Sequence, residues 1–572
     1  MEKGKQRKHR SRASSERSSS TRAGNPPSSA RSGEQPQSGT DSAGGSWLVL
    51  LLIATVVAYL PTLGADFVRW DDQFYVTENE LIRDADGWKA FWDPTDRRAP
   101  QFYPLVFSSY WLEYRLWGLD PRGYHAVNLA LHLGSTAMAF VLARWWGFSA
   151  AASFLVGAVF ALHPVQVASV AWVSERKNAL CGFFLLAAFA AFWKARKANS
   201  NGWLAASFLC FAASLLSKTQ ALLLPLSFAL FDWADRRTRG EDVPRTFWKE
   251  TALTLVPFLA LSALLAWMTI RFEHDRWPPL AYSWLERFLI ATNALVFYVL
   301  SVIWPAGLSP IYPKWNIDPA ALRWWIAPGL VGVGCFALWF WRRVVPPRVL
   351  AGLAHFLLGL VPVLGIVPFN FFTYSFVADH FLYFSMLGVG AVVAAVGARL
   401  GERKLVPIPA AATALALILG GLSFHEAMHW RDNLSFWLHV RQGDPDGFLP
   451  NFNLGLHFRR EQNWPEATRY FRTAAEARPA ADFVFRRYAE ALRYAHGPQA
   501  VAEMCTEWLK TAPRFAPAYL ERGLAREQLG QGVEAAEDYE LAVRFAPGGS
   551  AIASEARARL AALRAQPTGH DP

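Results

Sequence analysis

An all-α protein is predicted, in which a polytopic membrane domain is followed by a superhelix of paired helices. Two observations carry this. Apolar runs of membrane length recur between about residues 47 and 423, each long enough to be read as a spanning or broken helix. Beyond them four prolines stand 34 residues apart, at Pro445, Pro479, Pro513 and Pro547. A repeat of that length marks units that stack on their neighbours and bury a continuous core.

The composition fits this division. Of 572 residues, 53% are hydrophobic and 26 are Trp, with a net charge of +11. The excess charge reads as membrane topology and not as nucleic-acid binding, because Lys and Arg gather in short loops between apolar runs. Residues 1–46 are rich in Ser, Gly, Pro, Lys and Arg, cannot bury enough surface to fold, and read as a disordered basic cytoplasmic tail. The run 47–64 is expected to be a signal anchor, since no small-residue cleavage site follows it. Cys181, Cys210, Cys335 and Cys505 show no metal-ligand spacing and read as small hydrophobes without a disulfide framework.

The membrane domain is expected over 47–424. Its apolar runs lie at about 47–64, 124–146, 149–163, 178–194, 202–216, 219–233, 251–270, 285–304, 324–341, 349–368, 380–399 and 405–423. Basic loops at 194–197, 236–245, 342–348 and 399–404 should face the cytoplasm. The loop 65–124 and the segment 163–178 then lie outside. Three apolar runs separate two of the basic loops, 236–245 and 342–348, which places them on opposite sides unless 284–304 is horizontal or re-entrant. An odd number of about 11 spans, or 13, respects all the basic loops and carries the repeats out of the cytoplasm.

Residues 425–447 read as a linker helix, and 448–565 as about three tetratricopeptide (TPR) units, each two helices closed by a proline. The first unit has Leu454-Gly455, Ala467, Phe471 and Ala474; the third has Gly523, Ala535, Tyr539 and Ala542. Small residues let the paired helices approach, and the aromatics fill the gaps. The middle unit keeps Ala489 but has Val501, Cys505 and Trp508 where small or aromatic residues are usual. Such a superhelix binds peptides, so the membrane domain should act on proteins or beside them.

The chemistry is expected at the start of the external loop, where Phe67-Val68-Arg69-Trp70-Asp71-Asp72 follows the first span directly, with Asn79 beyond. Adjacent carboxylates at a membrane surface are poorly explained by packing. One of them within hydrogen-bond distance of a hydroxyl could accept its proton, or the pair could bind a metal. His125 and His132 share a helix face with Asn128 and read as helix packing, because no third ligand is evident.

An ordered series of motifs extends this reading. After Trp70-Asp71-Asp72 and Asn79 come Trp117-Gly118-Leu119, Gly123-Tyr124-His125, Asn128 with His132, His163-Pro164-Val165, Ala171-Trp172, Arg176-Lys177, Ser217-Lys218, Leu224-Pro225, Trp304-Pro305, Leu308-Ser309, Ala378-Asp379 and Leu382-Tyr383. The chain resembles the transmembrane and TPR-containing protein O-mannosyltransferases, of the GT-C class of polyprenyl-phosphate-sugar-dependent glycosyltransferases. The family usually has Arg at the positions held here by Tyr103, within Phe102-Tyr103-Pro104, and by His380. Both changes remove a permanent cation from an anion site, which Arg97, Arg98 or Arg176 would have to replace.

The resemblance implies an inverting transfer of a sugar, mannose in the family, from a polyprenyl-phosphate donor to Ser or Thr hydroxyls of exported proteins. Asp71 or Asp72 would be the base. Arg176, Lys177, Lys218 and His380 would bind the donor phosphate, with His163, Asp379, Asn79 and Glu175 in support. The lipid-linked sugar is a substrate, no cofactor or metal ligand set is called for, and a divalent metal stays open. Residue by residue, Lys177 and Lys218 could instead snorkel at span ends, and His163 could cap a helix before Pro164. Glu175 could pair locally, whereas Asp379 beside a span calls for a cavity or a partner. Two other readings compete: a GT-C transferase acting on a lipid or glycan, and a non-catalytic TPR scaffold. A transporter would instead place polar residues at mid-membrane in paired halves. A bacterial inner membrane, with the N-terminus cytoplasmic and the repeats periplasmic, is the expected location.

Overall fold

The structure, a computed structural model, describes residues 38–274 and 281–565. Most of the expected tail, residues 1–37, lies outside them, and the first helix begins at Ser38, ahead of Trp47. Among the described residues every regular element is a helix.

Each of the apolar runs gives a helix whose ends are set by local chemistry. Asp120 caps Pro121–Trp145 by accepting from the Arg122 N–H, and Pro121 occupies the first turn, where its missing donor costs nothing. Ser149 caps Ala150–Leu162 and Ser200 caps Asn201–Ser217 in the same way. Ser283 and Glu286 form a reciprocal capping box at the start of Trp284–Ile303. Ala150–Leu162 and Pro164–Ala171 are bent by 50° at His163.

Among the described residues seven helices are long and apolar enough to cross a membrane, or eight if that bent pair is one span. The remaining runs fold as shorter pieces, because 3₁₀ turns break them: Thr219–Leu223 precedes Pro225–Thr238, and Asp379–Leu382 precedes Met386–Glu402. The shorter helices can sit so close because their contacts are small. Pro347–Leu360 and Met386–Glu402 meet where a Cβ on Gly352 would stand 2.7 Å from the Gly388 carbonyl oxygen.

The four basic loops lie together at one end of the domain. Arg196 and Arg236 both pair with Asp232, at 3.0 and 3.1 Å, while Lys197 and Arg239 pair with Asp235, at 2.9 and 2.7 Å. The Arg348 guanidinium donates to the Trp146 carbonyl, and Trp146 stacks on Phe231 at 4.0 Å. Arg348 and Lys404 line one small groove beside Gly147. The opposite end carries the loop 65–124, the start of Arg176–Ala198, and the repeats.

Trp284–Ile303 departs from this alternation. At its start Arg287 donates to the Ile366 carbonyl and Tyr282 packs on Phe376; near its other end the Val302 carbonyl accepts from His163. All of these partners belong to the end away from the basic loops. Composition makes this helix a candidate span, but both its ends sit at one face. The basic loops 236–245 and 342–348 are then joined by two crossings, Thr246–His274 and Ile326–Trp341, and return to the same end.

The C-terminal region is a row of helices in which each packs on the next: Phe448–Arg460, Trp464–Ala477, Asp482–Thr511, Ala516–Gln528, Gly532–Phe545 and Ala551–Ala565. Asp482–Thr511 is two helices joined at Gly497, whose φ of 83° and following Pro498 break the helical path. Gly455 and Gly523 lie against rings, with an added Cβ 2.5 Å from Phe471 Cδ1 and 2.6 Å from Tyr539 Cε1. In the middle unit Ala489, Val501 and Cys505 are fully buried, and Trp508 packs edge-on against Phe485 at 5.0 Å.

A labelling experiment checks the path of Trp284–Ile303. Single cysteines replacing Ser283 and Gly307 are expected to react with an impermeant thiol reagent from the same face of sealed vesicles, and one replacing Arg343 only from the opposite face. Labelling of Ser283→Cys and Gly307→Cys from opposite faces would overturn this arrangement.

Candidate active site

The loop 65–124, the end of the membrane domain away from the basic loops, and the first repeat helices enclose a cavity of about 1450 Å³. Asp71, Glu175, Lys177, Lys218 and His380 reach it from the membrane side, and Phe448, Phe452 and Phe483 from the repeat side.

The two adjacent aspartates point apart. Asp72 is buried, and its carboxylate accepts from the Val68 N–H at 2.8 Å, from the Ser174 N–H at 2.9 Å, and from the Ser174 hydroxyl. Those bonds tie the loop to the start of Arg176–Ala198. Asp71 is half-buried and lines the cavity, and its carboxylate accepts no hydrogen bond from the described residues. Its carbonyl accepts from the Phe74 and Tyr75 N–H groups, 3.0 Å each, which starts the next helical turn. Burial pushes the Asp71 carboxyl up to about 6, opposed by Lys177. Burial takes Asp72 up to about 7 despite its hydrogen bonds. Of the pair, only Asp71 is free to meet a substrate.

Facing it is a cluster built on Glu175. Lys177 Nζ lies 3.0 Å from one carboxylate oxygen and Lys218 Nζ 3.3 Å from the other, and Lys218 also donates to Asn178 Oδ1 at 2.8 Å. Asn178 in turn donates to the His380 carbonyl at 2.8 Å. The His380 ring stands 3.8 Å from Glu175. Two lysines against one carboxylate leave one positive charge at the cavity wall.

Of the other candidate residues, Arg176, His163 and Asp379 lie outside the cavity lining, and Asn79 is part of it. Arg176, expected at the donor phosphate, is fully buried outside the cavity, where it forms a two-pronged pair with Glu113 and donates to Asn128 and to the Tyr124 carbonyl. It locks the loop helix Pro104–Trp117 to the membrane helices. His163 accepts from the Val165 N–H at 3.4 Å and donates to the Val302 carbonyl at 3.0 Å, a cap at the bend. Asp379 accepts from the Tyr312 hydroxyl at 2.9 Å and so holds the segment that lines one cavity wall. Asn79 caps Glu80–Arg83 by accepting from the Leu81 N–H at 3.0 Å. Tyr103 and Arg98 both line the cavity, and Arg98 is paired there with Asp96 at 2.6 Å. Sequence reading missed Lys314, which lines the cavity near the Tyr282 and Phe376 rings, and Glu113, the partner of Arg176.

The buried Arg176–Glu113 pair yields a stability test. Glu113→Gln strands a buried guanidinium, and the expected loss is about 3–5 kcal/mol, read as a fall in the thermal unfolding midpoint in detergent. Adding Arg176→Met is expected to recover part of that loss.

No family model matches the chain. Human protein O-mannosyl-transferase TMTC2 is 28% identical over 222 residues, covering 36% of this chain and 26% of that protein. The Drosophila melanogaster protein of the same name is 35% identical over 192 residues, 31% of this chain and 20% of its own. Human TMTC4 is 24% identical over 494 residues, 73% of this chain and 64% of that protein. The alignments thus span about a quarter of the TMTC2 relatives' length. Among solved structures, ArnT from Cupriavidus metallidurans bound to undecaprenyl phosphate overlays 88% of this chain and 81% of its own, with 14% identity and a TM-score of 0.36. The curated relatives of this chain are protein O-mannosyl-transferases, the family that the ordered motifs indicate.

Proposed function

We propose that the chain is a membrane glycosyltransferase of the GT-C type, moving a sugar, mannose by its relatives, from a polyprenyl-phosphate donor to Ser or Thr hydroxyls of exported proteins. The observation that carries this is one cavity in which an unengaged carboxylate, Asp71, faces a surplus positive charge at Lys177 and Lys218.

In the proposed step the acceptor hydroxyl gives its proton to Asp71 as its oxygen bonds to the anomeric carbon. The bond from that carbon to the phosphate oxygen breaks, and its electron pair leaves with the lipid phosphate. A single displacement inverts the centre, unlike the two-carboxylate chemistry of retaining hydrolases. Lys177 and Lys218 meet the charge that grows on the leaving phosphate. The step uses no cofactor, since the lipid-linked sugar is a substrate. The repeat helices, read as tetratricopeptide units, would hold the acceptor or an accessory protein at the cavity mouth. Applying the positive-inside rule to the clustered basic loops puts the cavity and repeats on the non-cytoplasmic side, which in a bacterial inner membrane is the periplasm.

The test is transfer of labelled mannose from polyprenyl-phosphate mannose to a Ser/Thr-rich exported polypeptide by the purified protein. Asp71→Asn is expected to lower kcat by about 10²–10⁴-fold, the usual contribution of a general base. Retained transfer in Asp71→Asn overturns the assignment of the base. Label entering lipid or glycan but not protein overturns the acceptor class.

The pH profile follows from the carboxylate. A base must be ionised, and Asp71 titrates near 6. Transfer is therefore expected to be full above that value and to fall about tenfold per unit below it. A rate independent of pH between about 5 and 7 would count against Asp71.

A further inference from the structure

The wall that the repeats give to the cavity has side chains that the transfer step does not use. On Phe448–Arg460 the residues Phe448, Phe452, Leu456 and Arg460 recur at every fourth position, which sets them on one helix face, and all four line the cavity. Phe448 stacks on Phe452 at 5.3 Å, and the Phe483 ring stands edge-on to both, at 6.1 and 5.3 Å. Phe483 comes from the start of Asp482–Thr511 and is 54% exposed. Three rings from two helices thus form an apolar patch open to the cavity, the kind of surface that takes up an apolar group.

Two cations flank the patch. The Arg478 guanidinium lies over the Phe448 ring, 4.1 Å from its centroid, and Arg460 ends the stripe. Both are exposed, both line the cavity, and neither pairs with a carboxylate among the described residues. A guanidinium laid on a ring keeps its edge donors free for a carboxylate. Asp444 is the acid that the repeat side contributes to the lining, so Arg460 and Arg478 leave that side with one surplus positive charge. Across from it Glu78 lies 3.9 Å from Arg69.

We propose that this wall selects the acceptor: a polypeptide segment in which an apolar side chain seats among Phe448, Phe452 and Phe483 and an acidic residue meets Arg478 and Arg460. The inference rests on the proposed transfer, since it treats the cavity as the place where the acceptor binds. Tyr374 connects the two ends of the site. Trp70 packs edge-on against it at 4.9 Å, and Asp71 and Arg478 both lie close enough to act on its hydroxyl. One segment can therefore meet the base and the arginine together. The carboxylate belongs at the repeat end, because beside the hydroxyl it would face Asp71. A lipid phosphate is the poorer occupant of this wall, since Lys177 and Lys218 face the phosphate from the membrane side in the proposed step.

The experiment measures, by fluorescence anisotropy, the binding of two short labelled peptides to the full-length protein in detergent. Both carry Ser, Thr and Phe, and one has Asp where the other has Asn. The acidic peptide is expected to bind the wild type about fivefold more tightly, the scale of a partly exposed ion pair. The double variant Arg460→Gln/Arg478→Gln, altered at exposed positions, is expected to lose that preference and to keep the affinity for the neutral peptide. Phe483→Ala is expected to weaken both peptides alike. Polyprenyl phosphate should bind the wild type and the double variant equally. Equal affinity of the two peptides for the wild type, no binding of either, or a preference that survives in the double variant overturns the proposal. So does loss of polyprenyl-phosphate binding in that variant, which would assign the arginines to the donor. Binding is read without sugar transfer, so the two failures separate. A protein that prefers the acidic peptide yet transfers no sugar overturns the proposed reaction alone, and one that transfers sugar with no preference overturns only the acceptor selection.

Discussion

The buried carboxylate of Asp72 is the constraint on which the site depends. By accepting from Val68 and twice from Ser174, it joins the start of the external loop to the start of a membrane helix more than a hundred residues later. An unpaired carboxylate at that depth would be costly, so these bonds are obligatory once the loop folds. With Asp72 held, its neighbour Asp71 is turned to the opposite side, into the cavity. Two adjacent residues thus divide the work, one anchoring the backbone and the other left available for chemistry.

The helix start at Arg176–Ala198 divides its charges in the same manner. Arg176 turns toward the loop and is consumed by Glu113, while Lys177 turns toward the cavity and shares Glu175 with Lys218. The planar guanidinium suits a buried two-pronged pair, and the ammonium is a compact point charge on a flexible stem. With Tyr103 and His380 in the cavity, the cations that meet Glu175 there are Lys177 and Lys218.

Sequence alone revealed much of this. The 34-residue spacing of prolines and the small residues opposite Phe471 and Tyr539 are local signals that survive folding unchanged. Asp71 and Asp72 stood out because adjacent carboxylates directly after a span are poorly explained by packing, although Asp72 proves to be a structural anchor. Other features had no local signal. Arg176 and Lys177 are consecutive cations, and only the position of Glu113, 63 residues away, decides which one is buried. Trp284–Ile303 has the length and apolarity of a span, and only its neighbours show that both ends lie at one face.

The dimensions of the cavity bear on when the proposed modification could occur in the life of its acceptor. At about 1450 Å³ it exceeds the 300–1,000 Å³ usual for a small-molecule site, which leaves room for a lipid-linked sugar and a few residues of polypeptide together. It leaves no room for a folded domain. On the proposed reading, a hydroxyl that reaches Asp71 would arrive on an extended segment, so sugar addition would precede the compaction of the chain that receives it. The glycan would then be present while that chain searches for its fold, and would act on its solubility and folding path from the outset.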